Sequence, residues 1–442
     1  MKFLAILKDS LREAIDCKVL YVMVGLSCLV TLVVLSLSFK PLPAENNMRD
    51  LVSGKTAALV AMMSGEPPAD FSDEEKPNRR FWEASPFELK SVRVAKGLPD
   101  APESHYTLTI SMRANQAEVA RIRKEPDKVL EQLRRQFAFL EKLNLLKLAR
   151  LDLLSAGDPD TSILIEVQTE PTEATRRVWQ FQPSLFFGAV PLGGGDSFPP
   201  LGVLLFTISR IVLYIGAWVT ILTSIIITAF FIPNMLRKGT VDLMIVKPMQ
   251  RSLILLYKYL GGLTFIFLNT TLAIVGIWLA LGWRSGMWAN SFLLMIFVIT
   301  FFFAILYAVS TLFAVLTRSA IVAILMTCGA WFLFFIVGTI NQVFETQRYV
   351  EKVRQVPPEK RWGDNAFGSV IKGIRTVTPR TSDLDHLGKQ ILLSDFLTGT
   401  TAKASVLDKS SSITWGESLT VSGVFVVLTL GLACWWFATK DF

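Results

Sequence analysis

Histidine and cysteine are scarce in this 442-residue chain, with two of the first and four of the second. His105 and His386 are far apart in sequence, and Cys17, Cys28, Cys328 and Cys434 all fall in or beside apolar stretches. No spacing resembles a metal site, and neither large polar region can hold a disulfide. Metal catalysis and histidine-based triads therefore lack raw material. There is no Gly-x-Ser-x-Gly elbow and no His-Glu-x-x-His pair. The nearest approach to a phosphate-cradling loop is Gly54-Lys55-Thr56, but position 49, where the motif's first glycine belongs, is Arg. Asp73-Glu74-Glu75 reads as a solvated acidic run. The expectation is a chain that is not itself an enzyme and binds no cofactor or metal directly. If it moves something, the energy comes from a partner or an ion gradient.

Charge is missing from a second place. The apolar stretches after residue 258 contain no Asp, Glu, Lys, Arg or His in their cores, whereas carriers driven by an ion gradient keep ionisable groups inside the membrane. A proton-coupled mechanism is disfavoured. The polar residues that do occur there include Asn269, Thr270, Thr271, Ser310 and Thr311. They are candidates to line a substrate path, or else to bond neighbouring helices or their own i−4 carbonyls.

What the chain has in abundance is apolar residues, 51% of the total, with a mean hydropathy of +0.44. That is too apolar for a soluble domain of this length and marks a polytopic membrane protein. The net charge of +8 sits beside the apolar spans rather than in a continuous basic arm. Anionic lipid and topology account for it, and no nucleic-acid partner is expected.

Residues 1–18 place Phe3, Leu4, Leu7, Leu11, Ala14 and Ile15 at helical spacing, which predicts an amphipathic helix on the membrane surface. A first span over 19–39 follows, read as a retained anchor because Phe39-Lys-Pro-Leu-Pro offers no cleavage site. From 40 to 200 charges of both signs intermingle and nothing could span, so a water-soluble α+β domain is expected. Within it, Tyr106–Met112, Ser162–Val167 and Val178–Phe181 read as strands, and Pro126–Ala156 as a Leu-rich helical stretch. Further spans are expected at 211–232, with Arg210 marking its outer end, and at 259–282, 291–317, 320–340 and 419–437. That makes six transmembrane helices plus an α+β extracytoplasmic domain. The loop 233–258 carries Arg237, Lys238, Lys247, Arg251 and Lys258 against the single acid Asp242, the balance of a cytoplasmic loop. Both termini then lie inside, and the domain and the basic stretch 341–416 lie outside. Phe367–Val377 in that stretch reads as an interfacial amphipathic helix.

The loop also carries a resemblance. Arg-Lys-Gly-Thr-Val-Asp-Leu at 237–243, Lys247-Pro248, and the Leu-Leu-Tyr-Lys-Tyr-Leu-Gly-Gly entry to the next span at 255–262 resemble the permease subunits of type-two ABC exporters. The likeness covers the membrane region and departs from the smaller exporters in the domain at 40–200. It implies a coupling helix in the loop that docks on a separate ABC ATP-binding subunit, through Arg237, Lys238, Gly239, Thr240, Asp242, Lys247 and Pro248. It further implies ATP and Mg bound by that partner, pairing with a second permease copy or a paralogue, and a bacterial plasma membrane. A mechanotransmitter acting through its outer domain and a membrane-anchored binding or sensory protein stand as alternatives.

Overall fold

A computed structural model describes residues 19–53, 87–113, 146–155, 162–172, 175–194, 198–235, 250–353, 366–393, 395–396 and 414–439, with a few single positions between 127 and 141. The predicted surface helix at 1–18 and most of the central basic loop lie outside the described residues. In lipid every backbone N–H and C=O has to be satisfied within the protein, which leaves helices for the apolar stretches. These are α1 (Val19–Leu35), α3 (Leu201–Met235), α4 (Arg251–Ser285), α5 (Met295–Thr317), α6 (Ala320–Val353) and α9 (Trp415–Thr439), where α2 (Ala44–Val52) belongs to the polar region. Among the described residues, five helices are long and apolar enough to cross a membrane, and α1 is a shorter apolar helix.

Four predicted boundaries move, each for a local reason. The first span was expected to reach residue 39, but α1 ends at Leu35 and Ser38–Pro41 becomes strand β1, paired antiparallel with β6 (Phe181–Leu185). The second was expected to start at 211, with Arg210 at its end. It starts at Leu201, and Arg210 lies well inside α3 with its side chain exposed. The predicted loop 233–258 shrinks because α3 runs through Pro233 and α4 begins at Arg251, which leaves Lys258 buried within a helix. The fifth span was expected to end at 340, but α6 continues to Val353. The extension buries Asn341, Phe344, Arg348 and Glu351 on one face, spaced three or four residues apart. The predicted amphipathic helix at 367–377 is present as α7 (Ala366–Val377), with Val370, Ile374 and Val377 exposed.

Helix α5 is the axis of the spans. It touches α3, α4, α6 and α9 and is buried continuously from Phe303 to Thr311, which explains why its sequence carries no charge. Tyr259 of α4 donates a 2.8 Å hydrogen bond to the Ala304 carbonyl and stacks on Tyr307 at 4.8 Å. On the other side of α4, Gly276 admits α1, because a Cβ there would lie 2.6 Å from the Thr31 hydroxyl.

The polar region between α1 and α3 forms two antiparallel sheets at one end of the spans. One is small, in the order β1, β6 and β7 (Val190–Pro191). The larger has the order β2 (Phe87–Lys96), β3 (His105–Arg113), β5 (Ser162–Glu170), β4 (Lys147–Ser155). One face of the larger sheet buries Tyr106, Leu108, Ile110, Ile165 and Val167, together with Met48 and Leu51 of α2. This core is continuous with Ile274, Ile277 and Leu281 of α4, so the domain is not an independent body on a tether.

Two expectations inside the domain are corrected. The end of the predicted helical stretch at 126–156 is strand β4, where a bulge between Leu148 and Arg150 breaks the alternation. Leu148 and Leu151 still turn toward the core. Val178–Phe181 is a junction between a single helical turn at Thr175–Val178 and the strand from Phe181.

Tyr106 stacks on Trp179 with ring centroids 5.6 Å apart and donates a 2.7 Å hydrogen bond to the Ala101 carbonyl. Burial pushes its phenol up from 10.0 to about 12. Because the folded value is the higher, its contribution is fully present below pH 10 and lost as pH rises toward about 12. Tyr106→Phe should lower stability by about 1 to 3 kcal/mol by orphaning that carbonyl, and should flatten the alkaline loss seen in thermal unfolding. An unchanged pH profile would show that the phenol is not buried as described.

Candidate functional site

The sheet-bearing end is fastened to the spans by two arginines that cross in opposite directions. Arg284, at the end of α4, donates from Nε to the Leu37 carbonyl, and its guanidinium lies 5.4 Å from the Phe187 ring centroid. Arg176, from the helical turn in the domain, donates from Nε to the Ser285 carbonyl at 2.8 Å and pairs with Glu103 at 2.7 Å. Gly286 lets this contact form. It caps α4 in the left-handed region at φ 72, and a Cβ there would meet the Arg176 guanidinium at 3.0 Å. The α4 helix thus runs from the central loop to the domain, about 52 Å at 1.5 Å per residue.

A second fastening sits beside it. Helix α8 (Thr381–Leu393) follows α7 and packs against α3, α5, α6 and α9. At its start Asp383 is buried and accepts from Arg375 of α7 at 2.6 Å, while Arg380 pairs with Glu417 of α9 at 2.6 Å. Breaking a buried pair of this kind leaves an uncompensated charge, so the cluster fixes α8 across the mouth of the spans. Helix α8 is absent from the sequence expectations, although Leu384, Leu387, Ile391 and Leu392 have helical spacing.

Two clefts flank α3. The smaller, about 270 Å³, lies between α1, α3 and α4 and is lined mainly by apolar groups such as Met23, Val30, Ile215 and Ile274. Asn269 and Thr270 line it. Both are buried, and Asn269 Oδ1 and Thr270 Oγ1 have no hydrogen-bond partner. The larger, about 900 Å³, lies between α3, α5, α6 and α8. Its depth is aromatic, with Trp218 and Trp331 centroids 4.3 Å apart and Phe302 edge-on to Trp331 at 6.4 Å. Its mouth holds Arg210, Asp385, His386 and Lys389.

The other candidate residues are placed differently. Thr271 lines neither cleft and donates to the Phe267 carbonyl at 2.7 Å, the i−4 bond open to a helical threonine. Ser310 and Thr311 are buried on α5 away from both clefts, and their hydroxyls have no partner. Arg237, Lys238, Gly239, Thr240, Asp242, Lys247 and Pro248 lie outside the described residues. Arg210 and the α8 trio were not foreseen as site residues.

Against known proteins, a family model described as "ABC-2 family transporter protein" matches residues 4–442. No curated protein and no solved structure matches the chain.

An orphaned buried hydroxyl carries a desolvation cost of about 1 to 3 kcal/mol. Thr270→Val and Thr311→Val keep the side-chain shape and remove that hydroxyl, so each should leave the thermal midpoint in detergent unchanged or raised. A midpoint lowered in both would show that the hydroxyls are bonded in the folded protein.

Proposed function

We propose that this chain, which belongs to the ABC-2 family of transporter proteins, is the permease component of an ATP-driven exporter and takes its energy from a separate ATP-binding subunit. The observation that carries the reading is the family match over residues 4–442, which takes in the basic loop with Arg237, Lys238, Gly239, Thr240, Asp242, Lys247 and Pro248. In this reading the loop faces the cytoplasm of a bacterial cell, docks in a groove of the ATPase, and lets Val241, Leu243, Met244 and Ile245 provide the apolar contact. ATP and Mg bind on the partner, no catalytic group on this chain reacts, and two permease chains flank the transport path. The sheet domain and α7–α8 lie on the outer side.

The mechanical route is α4. Displacement of the loop by the ATPase pushes on the start of α4 at Arg251, and α4 ends where Arg284 and Arg176 hold the domain. The same clasp favours a second reading, in which the chain transmits ATP-driven motion to its outer domain without carrying a solute across. The two readings share the docking loop and differ in whether the clefts beside α3 open to a solute.

Purification of the detergent-solubilised chain from its native membrane tests the docking. An ATP-binding subunit should copurify with the wild type, and Gly239→Pro with Asp242→Arg should lose it while the chain keeps its thermal midpoint. If no ATPase accompanies either protein, even after crosslinking, the permease reading loses its energy source.

A further inference from the structure

The larger cleft beside α3 grades from apolar to charged along both of its walls. On α3 the lining runs from Ile221 and Trp218 to Arg210 and Thr207, and on α6 it runs from Trp331 and Phe335 to Thr339 and Gln342. Trp218 meets Trp331 in the depth, while Gly202 near the start of α3 lies against the Arg177 and Phe396 carbonyls and Gly338 further along α6 lies against Ser382 at the start of α8. Both gradients therefore point the same way, toward α8 and the sheet-bearing end. Arg210 and Ile221 are separated by about 16 Å of helix, at 1.5 Å per residue. The cleft volume of about 900 Å³ falls within the range of about 300 to 1,000 Å³ typical of small-molecule sites.

Charge at the mouth is unbalanced. Lys389 pairs with Asp385 four residues before it, whereas Arg210 has no carboxylate partner among the described residues. A cation left without an acid at this depth in an apolar helix is costly unless an anion meets it. Ile211, Tyr214 and Ile215 on the rim are exposed, as is Phe335 opposite, so the cleft opens sideways, to the surroundings of the spans rather than to water. The cleft thus asks for one ligand with an apolar body and an anionic head, arriving from the bilayer.

We propose that this cleft is a binding site for an anionic phospholipid, its phosphate held by Arg210 beside the Asp385–Lys389 pair and one acyl chain lying over Trp218, Trp331 and Phe302. Guanidinium groups suit phosphate oxygens because their planar donors bond two at once. A second copy of the chain is a poorer occupant, since a two-fold axis here would bring one Arg210 toward the other. The site concerns equilibrium binding and needs no ATPase, so it can stand or fall apart from the coupling reading.

The test reconstitutes the full chain in vesicles of equal phosphatidylglycerol and phosphatidylcholine, with a trace of either lipid carrying a photoreactive acyl chain. The phosphatidylglycerol probe should label peptides spanning residues 206–221 and 331–342. Labelling should fall about five-fold in Arg210→Glu, the effect expected when a cation near an anionic headgroup is lost, and should be retained in Arg210→Lys. Equal labelling by the phosphatidylcholine probe overturns the proposal. So does absence of adducts in these peptides, or a disulfide between two copies carrying Ile215→Cys and Phe335→Cys. Copurification of an ATPase is unaffected by any of these outcomes.

Discussion

Where α4 meets the sheet domain, two arginines donate in opposite directions across one junction, and much of the molecule depends on that exchange. Arg284 of the span bonds the chain leaving α1 at Leu37, and Arg176 of the domain bonds the carbonyl that ends α4 at Ser285. A last-turn carbonyl has no partner within its own helix, so an arginine from outside both satisfies it and complements the negative end of the helix dipole. The apolar core follows the same path, from Leu108 and Val167 in the sheet through Trp179 to Ile277 and Leu281 in α4. The domain and the spans are consequently one packed body at this end. Motion of α4 then has to move the domain or break this junction.

The spans themselves are organised by what lipid forbids. Helix α5 is buried from Phe303 to Thr311 and brings no charge there. Thr300, a turn before, satisfies its hydroxyl on the Ile296 carbonyl, whereas the Ser310 and Thr311 hydroxyls inside the stretch have no partner. The outer helices α3, α6 and α9 leave apolar faces exposed. At the level of α8, Asp383, Arg375, Arg380 and Glu417 compensate one another. Arg210, on the wall of the larger cleft, has no carboxylate partner among the described residues.

Apolar run length made the helical stretches legible, because a bilayer fixes how much apolar sequence a crossing needs. Their ends were less legible. Arg210 reads as the edge of a span under an average insertion cost, yet the helix around it continues because the domain hands its chain directly into α3 at Leu201. The extension of α6 past residue 340 is written in Asn341, Phe344, Arg348 and Glu351, but as an amphipathic pattern that hydropathy averages away. Strand β4 reads as helix in the sequence because Leu-rich sequence suits both states and register shifts at Leu148/Arg150 and Leu153/Ser155 hide the alternation. Asn269 and Thr270 were singled out by polarity alone and lie in the smaller cleft, while the larger cleft draws its mouth from α8, more than 160 residues further along the chain than Arg210, a juxtaposition that no local pattern announces. The seven loop residues fall outside the described structure, so their role rests on the family and on the sequence.

The central claim is that work done at the loop reaches the sheet domain through α4. The direct measurement is the distance between spin labels at Leu98→Cys in the domain and Val377→Cys on α7, in a background with the four native cysteines replaced by Ser, within the complex with the ATP-binding subunit that the proposed function calls for. The account predicts that trapping the ATPase with bound nucleotide shifts this distance, and that Arg176→Ala with Arg284→Ala removes the shift while ATP hydrolysis continues. A distance unmoved by nucleotide in the otherwise native complex would contradict it.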